Sequence, residues 1–180
     1  MQNSCPMIRA LLILGLMMVW GCDPPVQEEE APQSDPYREQ FVKVNRYMQK
    51  RHQDHISAFI DRVGWDARQY PSGLWIVVQD SGKGPAIVDN QVVTYAFSSQ
   101  LLDGTPCYEA AADAPKSIIV GKGGVEAGVE EGIKQLNPGA RAIFLIPPHL
   151  AHGNFGDRDK IPGNSVLIYR IHILDVRPGS

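Results

Sequence analysis

The spacing of the apolar residues changes once along this chain, near Pro71, and that change leaves few folds open to it. Upstream, Phe41, Val44, Met48, Ile56, Phe59, Ile60 and Val63 recur at helical intervals. Asp35 suits a helix cap, Pro36 the first helical position and Gly64 a stop, so a long amphipathic helix is expected over residues 35–64. Downstream, alternation takes over. Residues 74–78, 92–97, 117–120, 141–146 and 166–176 are β-rich, with turn signals at Asp80-Ser81-Gly82-Lys83-Gly84-Pro85 and at Asp103-Gly104. Between the third and fourth runs, Val125, Val129, Ile133 and Leu136 share one face of a further helix, which Pro138-Gly139 ends. The order strand, strand, strand, helix, strand, strand implies an α+β domain over residues 65–180. One internal helix is expected to cross one face of a curved antiparallel sheet.

The long helix has two readings. Its stripe, interrupted by His52 and His55, either packs on the following domain or pairs with a second copy of the chain, while Arg38, Lys43, Arg46, Lys50 and Arg51 form a charged face.

Ahead of it lies a different kind of sequence. Arg9 precedes an apolar run over residues 10–20, about the length of a signal-peptide core and short for a bilayer span. Val19-Trp20-Gly21-Cys22 resembles a bacterial lipobox, which implies residues 1–21 as a lipoprotein signal and Cys22 as the lipidated residue, although Trp20 departs from the usual small residue; a plain secretory signal with an incidental cysteine and an uncleaved anchor are the competing readings. Acyl chains contribute roughly 0.8 kcal/mol per buried methylene, so two or three of them on Cys22 would anchor the protein durably. Residues 22–34, rich in proline and acid, have little to bury and form a flexible tether. The acidic residues beside Cys22 fit either a sorting signal or a plain solvated spacer. With Cys5 removed and Cys22 acylated, Cys107 is left without a disulfide partner, as a packing residue or a reactive thiol.

Several chemistries lack support. A formal charge of −3 and a pI near 5.9, with no basic run, argue against nucleic acid as a partner. Gly121-Lys122-Gly123-Gly124 lacks the Gly-Lys-Ser/Thr ending of a phosphate-binding loop. His149 and His152, with Asp157 and Asp159 nearby, sit among proline and glycines that favour loop geometry over a helix-set metal face. Ser98, Ser99 and Ser165 have no Gly-x-Ser-x-Gly setting.

One succession of motifs remains. Gly128-Val129-Glu130-Glu131-Gly132-Ile133 is followed by Pro138-Gly139-Ala140-Arg141-Ala142, then Ile146-Pro147-Pro148-His149-Leu150-Ala151-His152-Gly153 and Lys160-Ile161-Pro162-Gly163. This order resembles the FK506-binding-protein (FKBP) class of peptidyl-prolyl isomerases. The loops, with Asn45-Arg46-Tyr47 and Trp65 ahead of them, look most like lipoprotein isomerases of Bacteroidota, some associated with gliding motility. Members of such groups often pair through N-terminal helices.

The resemblance implies an FKBP-like fold, an apolar pocket for Xaa-Pro and no cofactor or metal. It implies Tyr95, Val125, Val129 and Tyr169 as the catalytic pocket, and Tyr108, Glu109, Glu126, His152 and Ile161 as substrate contacts. An open slot is expected between Tyr95, Val125 and Tyr169. Val129 stands where well-studied members carry tryptophan, His152 where they carry a hydrogen-bonding tyrosine, and Lys116 where they carry an aromatic. The family's Phe-Asp pair aligns either to Cys107-Tyr108 or to Tyr108-Glu109. The implied function is prolyl isomerisation of exported or envelope proteins by a lipid-anchored protein facing the periplasm or cell exterior. The competing reading is a catalytically weak peptide-binding, chaperone or docking module.

Overall fold

The computed structural model describes residues 36–179. The signal segment, Cys22, the tether and the capping role of Asp35 lie outside the described residues. Residues from Glu39 onward belong to one compact unit.

Helix α1 (Pro36–Val63) ends where Gly64 turns left-handed, its N–H donating to Ile60 O. Seven strands follow: β1 (Arg68–Gln69), β2 (Trp75–Asp80), β3 (Gln91–Leu101), β4 (Pro106–Ala110), β5 (Lys116–Ile119), β6 (Arg141–Ile146) and β7 (Leu167–Pro178). Helix α2 (Ala127–Ile133) lies between β5 and β6. All pairings are antiparallel, in the order β1-β2-β6-β7-β3-β4, with β5 also on β3.

The expected α+β architecture is present, with two strands more than the sequence pattern indicated. β1 is two residues long, and β4 occupies a stretch dominated by turn-forming residues. The sheet is covered on both faces, by the expected internal helix on one and by the second half of α1, in the packing reading of that helix, on the other. On one side α2 contributes Val129 and Ile133 to a core with Val93, Tyr95, Phe144, Tyr169 and Ile171. On the other, Ile56 and Ile60 of α1 pack with Val77, Ile143, Leu145 and Ile168. Alternation along β7 therefore feeds two cores, Tyr169 to one and Ile168 to the other.

Only the second half of α1 is used in this way. Phe41, Val44 and Val63, all in the expected stripe, are exposed, as are Val42 and Tyr47. Gln53 fastens the buried half: its amide donates to Gly73 O at 2.9 Å and its carbonyl accepts from Trp75 Nε1 at 2.7 Å and from Gln69 Nε2 at 2.9 Å.

α2 is shorter than its apolar face suggested, so Val125 precedes it and Leu136 follows it. Two glycines let it lie close to β6. A Cβ at Gly128 would collide with Ile146, and one at Gly132 would come within 2.5 Å of the buried Phe144 ring. Gly121 and Gly123-Gly124 all have positive φ, and the Gly121 N–H donates to Glu130 of α2. The glycine-rich segment is a turn tied to that helix.

Candidate functional site

β3 changes partner halfway along. Its residues Val92 to Tyr95 pair with β5, while Phe97 and Ser98 pair with β4. The chain between β4 and β5 must bow away from the sheet at that switch. A cleft of about 460 Å³ opens there.

Its floor is aromatic. Phe97 stacks on Tyr169 with ring centroids 4.6 Å apart and planes 10° from parallel, and leans on Tyr95 at 5.9 Å. Tyr95 and Phe97 are two apart on β3 and so share a face. The rim carries Tyr108 and Glu109 from β4, Lys116 from β5, and Glu126 just ahead of α2. The Lys116 ammonium sits 6.0 Å from the Phe97 ring centre.

Below the floor lie residues expected to line an open slot. Tyr95 and Val129 are both fully buried, and Val125 is half-buried against the core. Tyr169 belongs both to that expected slot and to the floor of the cleft, where Phe97 adds further accessible apolar surface. Sequence reading passed over Phe97 because an aromatic on a strand resembles ordinary core. Its place two residues beyond Tyr95, beside the partner switch, was the available signal.

The Tyr95 hydroxyl is buried without a hydrogen-bond partner among the described residues. The Tyr169 hydroxyl is near enough to influence its ionisation but does not meet hydrogen-bond geometry with it. Burial, and then the negative charge of Glu126, push both phenols well above their ordinary range. Both remain protonated donors.

Tyr108 is held from three sides. Ser99 Oγ bonds its backbone N–H and carbonyl, each at 3.1 Å, and its own hydroxyl donates to Asp157 at 2.5 Å and Asp159 at 3.1 Å. Lys160 sits 5.0 Å over its ring. The hydroxyl is therefore committed to the loop between β6 and β7, and the ring is what it offers the cleft. The hydrogen bond to Asp157 leads the causes that raise the Tyr108 pKa. Of the two alignments left open, Tyr108-Glu109 is the pair that borders this cleft, while Cys107 turns into the core. Burial, then the Asp157 charge, raise the Cys107 thiol, which disfavours thiolate chemistry.

The β6–β7 loop is organised by Asp157. Its side chain accepts from the N–H groups of Asp159 at 2.9 Å and Ile161 at 2.8 Å. Partial desolvation would raise this carboxyl, but the Tyr108 hydroxyl and those two N–H groups outweigh it and hold the pKa at about 2. Ile161 is consequently fixed in the core. His152 Nε2 faces Glu126 at 3.3 Å, so one of its two ring nitrogens is turned to a carboxylate. The described residues hold no group of three or more His, Cys, Asp or Glu able to bind a metal, and none of their helices is long and apolar enough to cross a membrane.

Comparison with known proteins bears on the family and the fold. A family model described as FKBP-type peptidyl-prolyl cis-trans isomerase matches residues 84–174. Human "Peptidyl-prolyl cis-trans isomerase FKBP10" is 35% identical over 116 residues, covering 64% of this chain and 18% of that protein. "FKBP-type peptidyl-prolyl cis-trans isomerase FkpA" of Escherichia coli is 33% identical over 107 residues, covering 59% and 39% respectively. The chain thus spans less than half the length of these curated relatives. In fold, it is similar to the crystal structure of FkpA from Escherichia coli, with a TM-score of 0.61, 24% identity and coverage of 100% of this chain and 85% of that one. A peptidyl-prolyl isomerase structure from Pseudomonas syringae gives a TM-score of 0.62 at 20% identity, covering 73% and 95%.

Proposed function

Because this chain belongs to the FKBP-type peptidyl-prolyl cis-trans isomerase family, we propose that it accelerates rotation about Xaa-Pro bonds in the cleft floored by Phe97 and Tyr169. Unaided, that rotation faces a barrier of about 20 kcal/mol and takes tens of seconds or longer. Amide resonance creates the barrier. The twisted transition state loses C–N double-bond character and some carbonyl polarity, so an apolar floor binds it better than the planar ground state. No nucleophile, metal or proton transfer is needed.

The stacked aromatic pair at the base of an open cleft is the observation that carries this reading. Exchange NMR on Xaa-Pro peptides tests it directly, since the two isomers give separate signals whose interconversion the protein should speed. No acceleration of any peptide in a broad panel would end it.

A second reading, a weakly catalytic peptide-binding, chaperone or docking module, is favoured by a specific feature: Tyr95 and Val129 are sealed, and His152 is engaged with Glu126. Peptide binding without accelerated exchange would select it.

We further propose that the protein is a lipoprotein anchored through Cys22, acting on exported or envelope proteins, and that it is related to the Bacteroidota lipoprotein isomerases, some of them tied to gliding. The exposed Phe41, Val44 and Tyr47 on α1 support pairing with a second copy. Release of the protein from membranes by Cys22→Ala, and a light-scattering mass for the detergent-free chain, test the anchor and the dimer separately.

A further inference from the structure

Glu126 stands apart among the polar groups around the cleft. Its side chain is 17% exposed, yet its only ion-pair partner among the described residues is His152, at the long distance of 3.3 Å, an imidazole that carries charge only when protonated. A carboxylate has two oxygens and about four acceptor sites. Taking it out of water is costly unless those sites are filled. Lys116, the cation on the same cleft, lies by Phe97 and makes no ion pair with Glu126 among the described residues. Glu109 adds a second carboxylate at the rim. The charge of Glu126 also reaches the floor, where it opposes ionisation of Tyr95 and Tyr169.

We propose that Glu126 makes this cleft select prolyl segments carrying a lysine or arginine immediately beside the proline. The inference rests on the isomerase reading of the cleft and names its substrate class. With the proline ring on Phe97 and Tyr169, a neighbouring basic side chain can lay its methylene stem along the aromatic floor and bring its cation to the underused carboxylate. Arginine can engage both oxygens in a fork, and lysine offers a single point charge. A glutamate in that place would meet both Glu126 and Glu109.

The test is exchange NMR with the full chain in detergent and a matched series of short peptides carrying Arg, Lys, norleucine or Glu on either side of proline. Norleucine keeps the lysine stem without the charge. The expected result is a kcat/KM for the Lys and Arg peptides five- to twenty-fold above norleucine on at least one side, with Glu lowest. Glu126→Gln should bring the Lys to norleucine ratio within about twofold of one. Raising ionic strength on the unmodified protein, which requires no variant to fold, should shrink the same ratio. Equal rates for Lys and norleucine on both sides, or a preference that survives Glu126→Gln, would overturn the inference while leaving the isomerase reading intact. If no peptide is accelerated the isomerase reading fails, and chemical-shift titration with the same peptides then decides the charge preference by binding alone: tighter Lys than norleucine supports it, and equal affinity overturns it.

Discussion

Replacing Tyr95 with phenylalanine should stabilise this protein. The Tyr95 side chain is fully buried and its hydroxyl has no hydrogen-bond partner among the described residues. In the unfolded chain water satisfies that hydroxyl, so folding leaves a desolvated polar group unpaired, at a cost of about 1–3 kcal/mol. Phenylalanine keeps the ring, its packing on Phe97 and its place in the core while removing the unsatisfied atom. The volume lost is that of one oxygen. A gain of roughly 1–3 kcal/mol is expected, and at about 3 °C per kcal/mol for a domain of this size the melting temperature should rise by about 3–9 °C. Urea titration gives the free energy and calorimetry the melting temperature, with an unchanged m-value showing that the unfolded state is unaffected. A loss of about 1 kcal/mol or more would refute the reasoning. It would mean that the hydroxyl is satisfied in solution, by the nearby Tyr169 hydroxyl or by a buried water, and that the core at this point is a polar network.

Other outcomes follow from the same geometry. Phe97→Ala should weaken Xaa-Pro peptide binding by roughly tenfold, because it removes half of the stacked floor, a contact of the kind worth about 0.5–1.5 kcal/mol beyond area burial; unchanged affinity in an NMR titration would place the peptide elsewhere. Gly132→Ala should cost about 1–3 kcal/mol by forcing a methyl into the Phe144 ring, measured by urea denaturation. Gln53→Ala removes the three hydrogen bonds that tie α1 to the β1–β2 hairpin, so hydrogen exchange in the second half of α1 should quicken well before that of β7. Asp157 has a folded pKa of about 2 against an ordinary 3.8, so it adds stability above the higher value and loses it as pH falls toward the lower. Acid titration of stability should show that loss in the wild type, and Asp157→Asn should lack it across the same interval.

Much of the scaffold was legible because one face of each strand must be apolar. β6 runs over Arg141–Ile146 as its pattern indicated, and β7 over Leu167–Pro178 against an expected 166–176. β4 was missed because Pro106 and the Asp103-Gly104 turn dominate its local signal; its pairing comes from β3, not from its own residues. The α1 stripe was visible, but periodicity alone could not tell that Ile56 and Ile60 would be covered while Phe41 and Val44 stayed bare. For the site, Tyr108, Glu109, Glu126 and Tyr169 meet at one cleft, whereas Tyr95 and Val129 form the layer beneath it. Which aromatic reaches the surface depends on where a neighbouring strand departs, and no local pattern records that.

The linear chain alone determined the architecture, through the period of its apolar residues, and the family, through the order of its loop motifs, because both are properties of neighbours along the backbone. Tertiary structure decided that Phe97 overlies Tyr169 and that, among the described residues, the buried Tyr95 hydroxyl is unpaired and Glu126 faces a cleft with one weak partner. Those are contacts between residues tens of positions apart, and their energies depend on burial and distance, which exist only once the sheet has closed around α2.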